Sequence, residues 1–156
     1  MNSLPRSALV PRSALVLGLA GILPFVWSMA TQLSPNLADF ALRVFGPRFV
    51  GPYVGLVYGT IILSFMSGVL WGFATRATGQ TATLGYGLSV VPALWAFFFV
   101  GNGPVSAALM LALGFAGVFA LDFAFWRLGF APAWWIRLRL PLTAAAVACL
   151  CATAFL

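Results

Sequence analysis

Apolar residues in this chain come in long uninterrupted blocks rather than in alternation with polar ones. Five blocks are long enough, or nearly so, to cross a hydrocarbon core of about 30 Å, which needs about 20 helical residues within a range of about 17–25. They run over about 14–33, 52–74, 84–100, 104–126 and 140–156, the third being the shortest. A strand reading fails, because no polar–apolar alternation runs through them. The breaks have local causes. Ser34-Pro35 ends the first block, since proline disfavours helix at the residue before it. Gly51-Pro52 opens the second, with proline in a first turn where its missing N–H is harmless. Gly101-Asn102-Gly103-Pro104 is a tight turn that makes the third and fourth helices an antiparallel hairpin. Ala131-Pro132 interrupts the loop before the fifth.

A different pattern fills about 35–45. Leu37, Phe40, Ala41, Val44 and Phe45 repeat at helical spacing on one side, with Asn36, Asp39 and Arg43 on the other. Ser34 suits the cap, Pro35 the first turn and Gly46 the end. Asp39 and Arg43, four apart, support each other. These features predict a short amphipathic helix in the headgroup plane; a structured loop packed on the bundle is the alternative.

Composition agrees with a lipid setting. Of 156 residues 63% are hydrophobic and 6% charged, where soluble domains carry about a quarter charged residues. A small soluble domain cannot hide that surplus, because it buries only about two thirds of its exposable surface. The expected fold is all-α: a polytopic membrane protein, one compact bundle of five transmembrane helices (14–156) plus one interfacial helix, preceded by a short tail (1–13). In that tail Pro5–Val10 is repeated as Pro11–Val16, too short to be an architectural repeat. Cys149 and Cys151 lie on different faces of a helix, so a disulfide between them is not expected.

The net charge of +6 comes from eight arginines and two aspartates, with no lysine. The arginines sit in breaks between apolar blocks, where topology signals sit, and do not form a nucleic-acid face. Arg6, Arg12, Arg76, Arg127, Arg137 and Arg139 fall on one side of the membrane and Arg43 and Arg48 on the other. That excess places the N-terminus inside and the C-terminus outside. Trp126, Trp134 and Trp135 flank the same inner loop. A competing reading takes Arg6 and Arg12, the first apolar run and Ser28-Met29-Ala30 as a signal peptide. Against it, Pro24 sits inside the run, and the run continues beyond the supposed cleavage site.

The absences limit the chemistry. With no histidine, lysine or glutamate, histidine-based haem and zinc ligation, Schiff-base chemistry and histidine general-base catalysis fall away. Asp39 and Asp122 lie on opposite sides, so paired-carboxylate catalysis falls away too. No enzyme activity, cofactor or metal is expected. Asp122, the one acid inside a span, is expected to pair with Arg76, Arg127, Arg137 or Arg139 and pin the inner loop; a transport role is the alternative. The second span carries two series of small residues, Gly51, Gly55 and Gly59, then Thr60, Ser64, Gly68 and Gly72. They read as a nearly continuous small-residue stripe that lets helix backbones approach closely. It is either an internal contact or a docking face for a partner subunit. Pro24 and Pro92 kink the first and third spans and free the carbonyls of Ala20 and Leu88.

Four stretches occurring in order carry a family resemblance: Leu19-Ala-Gly-Ile-Leu-Pro-Phe25, Tyr58-Gly-Thr-Ile-Ile-Leu-Ser-Phe-Met-Ser-Gly-Val-Leu-Trp-Gly72, Ser89-Val-Val-Pro-Ala-Leu94 and Pro132-Ala-Trp-Trp-Ile-Arg-Leu-Arg-Leu-Pro-Leu-Thr143. From about residue 17 onward the chain resembles an uncharacterised bacterial membrane family similar to mitochondrial transmembrane protein sixty-nine. Asp122 fits that pattern. Leu70 departs from it, where a polar or basic residue is expected, and Trp135 stands where tyrosine is common. The resemblance brings no activity. It implies a bacterial inner membrane, or alternatively a mitochondrial inner membrane, and a retained first helix.

The expectation is therefore a non-enzymatic accessory or assembly protein whose partners are the lipid bilayer and other integral membrane proteins, with no nucleic acid. The alternative is a small transporter or a lipid- or quinone-binding protein, with a cavity near Pro24, Ser64 and Pro92.

Overall fold

The structure is a computed structural model and describes residues 9–156. Arg6 and most of the first hexapeptide copy lie outside the described residues. The elements are α1 (Arg12–Ala20), α2 (Leu23–Leu33), α3 (Pro35–Phe45), a 3-10 turn (Pro47–Phe49), α4 (Pro52–Ala74), α5 (Gly79–Phe99), α6 (Pro104–Arg127) and α7 (Trp135–Phe155). Taking α1 and α2 together, five segments are long and apolar enough to cross a membrane. The chain is a multi-pass all-helical membrane protein. Large apolar side chains such as Ile61, Phe97, Phe98 and Leu113 are exposed all round the bundle, where hydrocarbon would solvate them.

The core lies between α2, α4, α6 and α7, where Phe25, Leu63, Leu111, Phe115 and Leu150 pack together. A second cluster of Leu70, Phe73, Ala74, Phe125 and Ala131 closes the arginine-rich end. Helix α5 lies against α4 and α6, the latter across the turn at Gly103, whose φ of +92° favours glycine. That is the expected hairpin. Helix α3 is capped as its sequence suggests: Leu37 N–H donates to Ser34 Oγ at 3.4 Å, and Gly46 ends it at φ +85°. Ala41 is buried on the bundle, whereas Phe40, Val44 and Phe45 are exposed.

Three boundaries differ from the apolar blocks. The first span is two helices, not one kinked helix. Pro24 has no N–H to offer Ala20, and around it the bonding tightens to i−3: Ile22 N–H to the Leu19 carbonyl and Phe25 N–H to the Ile22 carbonyl, each at 3.0 Å. The third span begins at Gly79 rather than near Leu84, because Gln80, Thr81 and Thr83 are polar yet helical. The last begins at Trp135 rather than Leu140. Arg137 and Arg139 interrupt the hydropathy but not the helix, and Pro141 falls within it.

Pro92 stays within a continuous α5. One turn before it, Ser67 Oγ of α4 donates to the Ser89 carbonyl, and Ser89 Oγ donates to the Tyr86 carbonyl at 2.7 Å. A neighbouring helix thus bonds the carbonyl next to that of Leu88, the one Pro92 cannot serve. At the opposite end of the bundle from the arginine-rich loops, Ser28 Oγ donates to the Gly51 carbonyl at 3.0 Å, and Gly51 N–H donates to Thr31 Oγ1 at 3.0 Å. These bonds fix the start of α4 against α2.

Candidate functional site

Trp135, Arg139 and Thr143 follow one another at intervals of four along α7. Each interval turns about 400°, so the three stay near one face. That face meets α6 at Asp122. Asp122 is fully buried, with 0% exposure. Trp135 Nε1 donates to its Oδ1 at 2.7 Å, and Arg139 Nε donates to its Oδ2 at 2.7 Å. Each carboxylate oxygen therefore has its own donor, one of them charged. Such hydrogen bonds are about twice as strong as neutral ones. The pair is electrically neutral as a unit, the form in which a low-dielectric interior tolerates charge.

Arg139 reaches the carboxylate through Nε. Its Nη2 is buried with no partner among the described residues, and so is Thr143 Oγ1. Arg139 is 5% exposed and Thr143 7%. Both side chains line a cavity of about 320 Å³ between α1, α2, α4, α6 and α7, whose other walls are almost entirely apolar. A larger, lipid-facing groove of about 620 Å³ runs between α2 and α4 past Pro24, Trp27 and Arg48. Neither Ser64 nor Pro92 lines either one, so the expected convergence of Pro24, Ser64 and Pro92 on one cavity does not occur.

The four arginines expected near Asp122 have separate surroundings. Arg139 takes Asp122. Arg76 Nη1 donates to the Phe130 carbonyl at 2.9 Å, tying the α4 end to the α6–α7 loop. Arg127 stacks over the Phe123 ring at 5.9 Å, and Arg137 is exposed on α7.

The small residues of α4 do not form one stripe. Gly55 faces Ser28 and Gly59 faces Leu111, where an added Cβ would come within 2.8 Å of Ser28 Oγ and 3.1 Å of Leu111 Cδ1. Gly51 is the cap ahead of α4, with φ +70°. Gly68 and Gly72 have nothing within 4 Å of such an atom, and Ser64 is exposed. The reason is rotation. The thirteen residues from Gly55 to Gly68 turn about 1,300°, about 220° beyond whole turns: each step of four drifts about 40°, and the one-residue offset between Gly59 and Thr60 adds about 100°, which carries the second series to the far side of the helix. Gly114 of α6, absent from the sequence reading, is the tightest glycine: a Cβ there would lie 2.7 Å from Leu63 Cδ2 and 3.0 Å from Trp95 Cδ1.

Residues 10–155 match a family described as "Protein of unknown function (DUF3429)". The chain belongs to that family. It is also 33% identical over 141 residues to Transmembrane protein 69 of Xenopus tropicalis, covering 88% of this chain and 51% of that relative. This DUF3429 chain thus spans about half the length of the curated relative it matches. No solved structure matches it. The four stretches that carried the resemblance now have structural places: Pro24 at the break between α1 and α2, Ser64, Gly68 and Gly72 on the open face of α4, Ser89 at the α4 contact, and Trp135 and Arg139 on Asp122, with Thr143 one turn further along α7. Sequence reading missed Trp135 as a partner of Asp122 and missed Thr143 altogether. The signal was the interval of four, hidden because the helix was started too late.

Proposed function

We propose that this chain is a non-enzymatic accessory or assembly protein of a bacterial inner membrane, or of a mitochondrial inner membrane, that binds a transmembrane helix of another membrane protein along the open face of α4. The observation that carries the reading is the uncovered Ser64–Gly68–Gly72 face, bordered by exposed Ile61, Phe65 and Trp71. Small residues between large ones make a groove into which a helix backbone fits closely, and close approach is what drives helix association in lipid. A small-residue face spent on internal packing would resemble that of Gly55 and Gly59, and this one does not. The Asp122–Arg139 pair then serves as a structural pin and not as a reaction centre. In this reading the arginine-rich end is cytoplasmic, or matrix-side.

The test is photocrosslinking in intact membranes with a reactive residue placed at Gly68 and, separately, at Phe97 on the lipid face of α5. A discrete polypeptide crosslinked from position 68, absent from position 97, and lost when Gly72→Leu fills the groove, is the expected result. Adducts to lipid alone at both positions would overturn the proposal. A lipid- or quinone-binding role is a second reading, favoured by a different observation, the cavity beside Arg139.

A further inference from the structure

Arg139 and Thr143 stand one turn apart on α7 and both line a single cavity, and each carries a buried polar atom, Nη2 and Oγ1, with no partner among the described residues. Buried polar side chains in folded proteins are nearly always satisfied, and each exception calls for a cause. The remaining walls are apolar, with Ile22, Phe25, Met66 and Phe115 among them. At about 320 Å³ the cavity falls at the low end of small-molecule sites, about 300–1,000 Å³. Leu17 and Phe65, 72% and 63% exposed, stand at its edge, so it communicates with the lipid-facing surface.

The chemistry of a complementary ligand follows. A guanidinium N–H only donates, and a threonine hydroxyl can donate beside it, so the ligand presents an acceptor. Asp122 already neutralises Arg139. An anionic head would therefore carry uncompensated charge into a low-dielectric site, which is strongly disfavoured. A neutral carbonyl oxygen satisfies both donors without that penalty. The apolar walls ask for hydrocarbon or a ring behind it. Depth agrees: Arg139 is four residues from the start of α7, about 6 Å along the axis, which is near the membrane boundary.

We propose that this cavity binds a neutral, carbonyl-bearing lipid, whose carbonyl oxygen accepts from Arg139 Nη2 and Thr143 Oγ1. An isoprenoid quinone and the acyl ester of a glycerolipid share that chemistry. This deepens the second reading above and is independent of the α4 docking face, which lies apart from these donors.

Delipidated full-length protein in detergent is titrated with a one-isoprene benzoquinone, a short-chain diacylglycerol and a short-chain fatty acid at neutral pH, followed by native mass spectrometry and thermal shift. Saturable one-to-one binding of the quinone or of the diacylglycerol is expected, and identifies the source. Thr143→Val, which keeps the shape and removes the hydroxyl, should weaken that binding about tenfold, as loss of one hydrogen bond does, while Thr143→Ser retains it. Should Thr143→Val fail to fold, wild type against Thr143→Ser and a wider Met66→Phe plug decides the same question, with the plug abolishing binding. Failure of both neutral probes to saturate, tighter binding of the fatty acid, or equal affinity in Thr143→Val overturns the proposal. None of these outcomes bears on crosslinking from Gly68.

Discussion

Asp122 owes its place to two side chains on one face of α7. Removing Arg139 leaves a carboxylate at 0% exposure with only the Trp135 indole for company. Breaking a buried pair in this way costs about 3–5 kcal/mol, whereas replacing both members with apolar residues is often neutral. Arg139→Leu should therefore lower stability by about that amount in detergent-titrated unfolding, and Asp122→Leu combined with Arg139→Leu should recover most of it. Trp135→Phe keeps the edge-on contact with Phe73 and removes one charge-assisted bond, with an expected loss of about 1.5–3 kcal/mol. Near-wild-type unfolding of Arg139→Leu would show that the pair does not pin α6 to α7. The need of Asp122 for a partner was legible in the sequence, because a lone intramembrane acid requires one. The choice of Arg139 among four arginines was not. It depends on α7 starting at Trp135, a boundary that Arg137 and Arg139 conceal from any reading based on hydropathy.

Helix α4 places its glycines on a packed face and an open one, and this makes a contrast that substitution can expose. At Gly55 and Gly59 of α4 and Gly114 of α6, a β-carbon meets Ser28, Leu111, or Leu63 and Trp95 at 2.7–3.1 Å. Valine at Gly55 or Gly114 should destabilise the bundle by about 1–3 kcal/mol, as overpacking does. Valine at Gly68 or Gly72 meets open space and should stay within about 0.5 kcal/mol of wild type, as surface changes do. The check is the unfolding midpoint of each variant in the same micelle. Equal losses at Gly55 and Gly68 would mean that both faces are packed. The spacing of four revealed a buried helix but not which glycines are buried: the two series face different sides, and which side meets α2 and α6 is decided by tertiary packing. Pro24 likewise signalled a disturbance in the first span, but not its outcome, two helices joined at Gly21-Ile22 by backbone bonds tightened to i−3.

At the scale of the whole molecule, number, order and antiparallel alternation of the spans follow from the apolar blocks, because lipid admits only helices and closed barrels, and blocks without polar–apolar alternation make helices. Orientation rests on charge. Arg139 is neutralised inside the bundle, so it no longer counts as a loop charge. Among the described residues Arg12, Arg76, Arg127 and Arg137 remain at one end, against Arg43 and Arg48 at the other, still the asymmetry that holds a loop in the cytoplasm. Thr78, between α4 and α5, and Asn102, between α5 and α6, are both exposed and lie at opposite ends of α5. In a background with Cys149 and Cys151 changed to alanine, Asn102→Cys should react with a membrane-impermeant maleimide added to intact cells. Thr78→Cys should react only after the membrane is opened. The reverse pattern would invert the bundle and put the Asp122 end, with the cavity beside Arg139, on the outer face; labelling of both from outside would mean that α5 does not span.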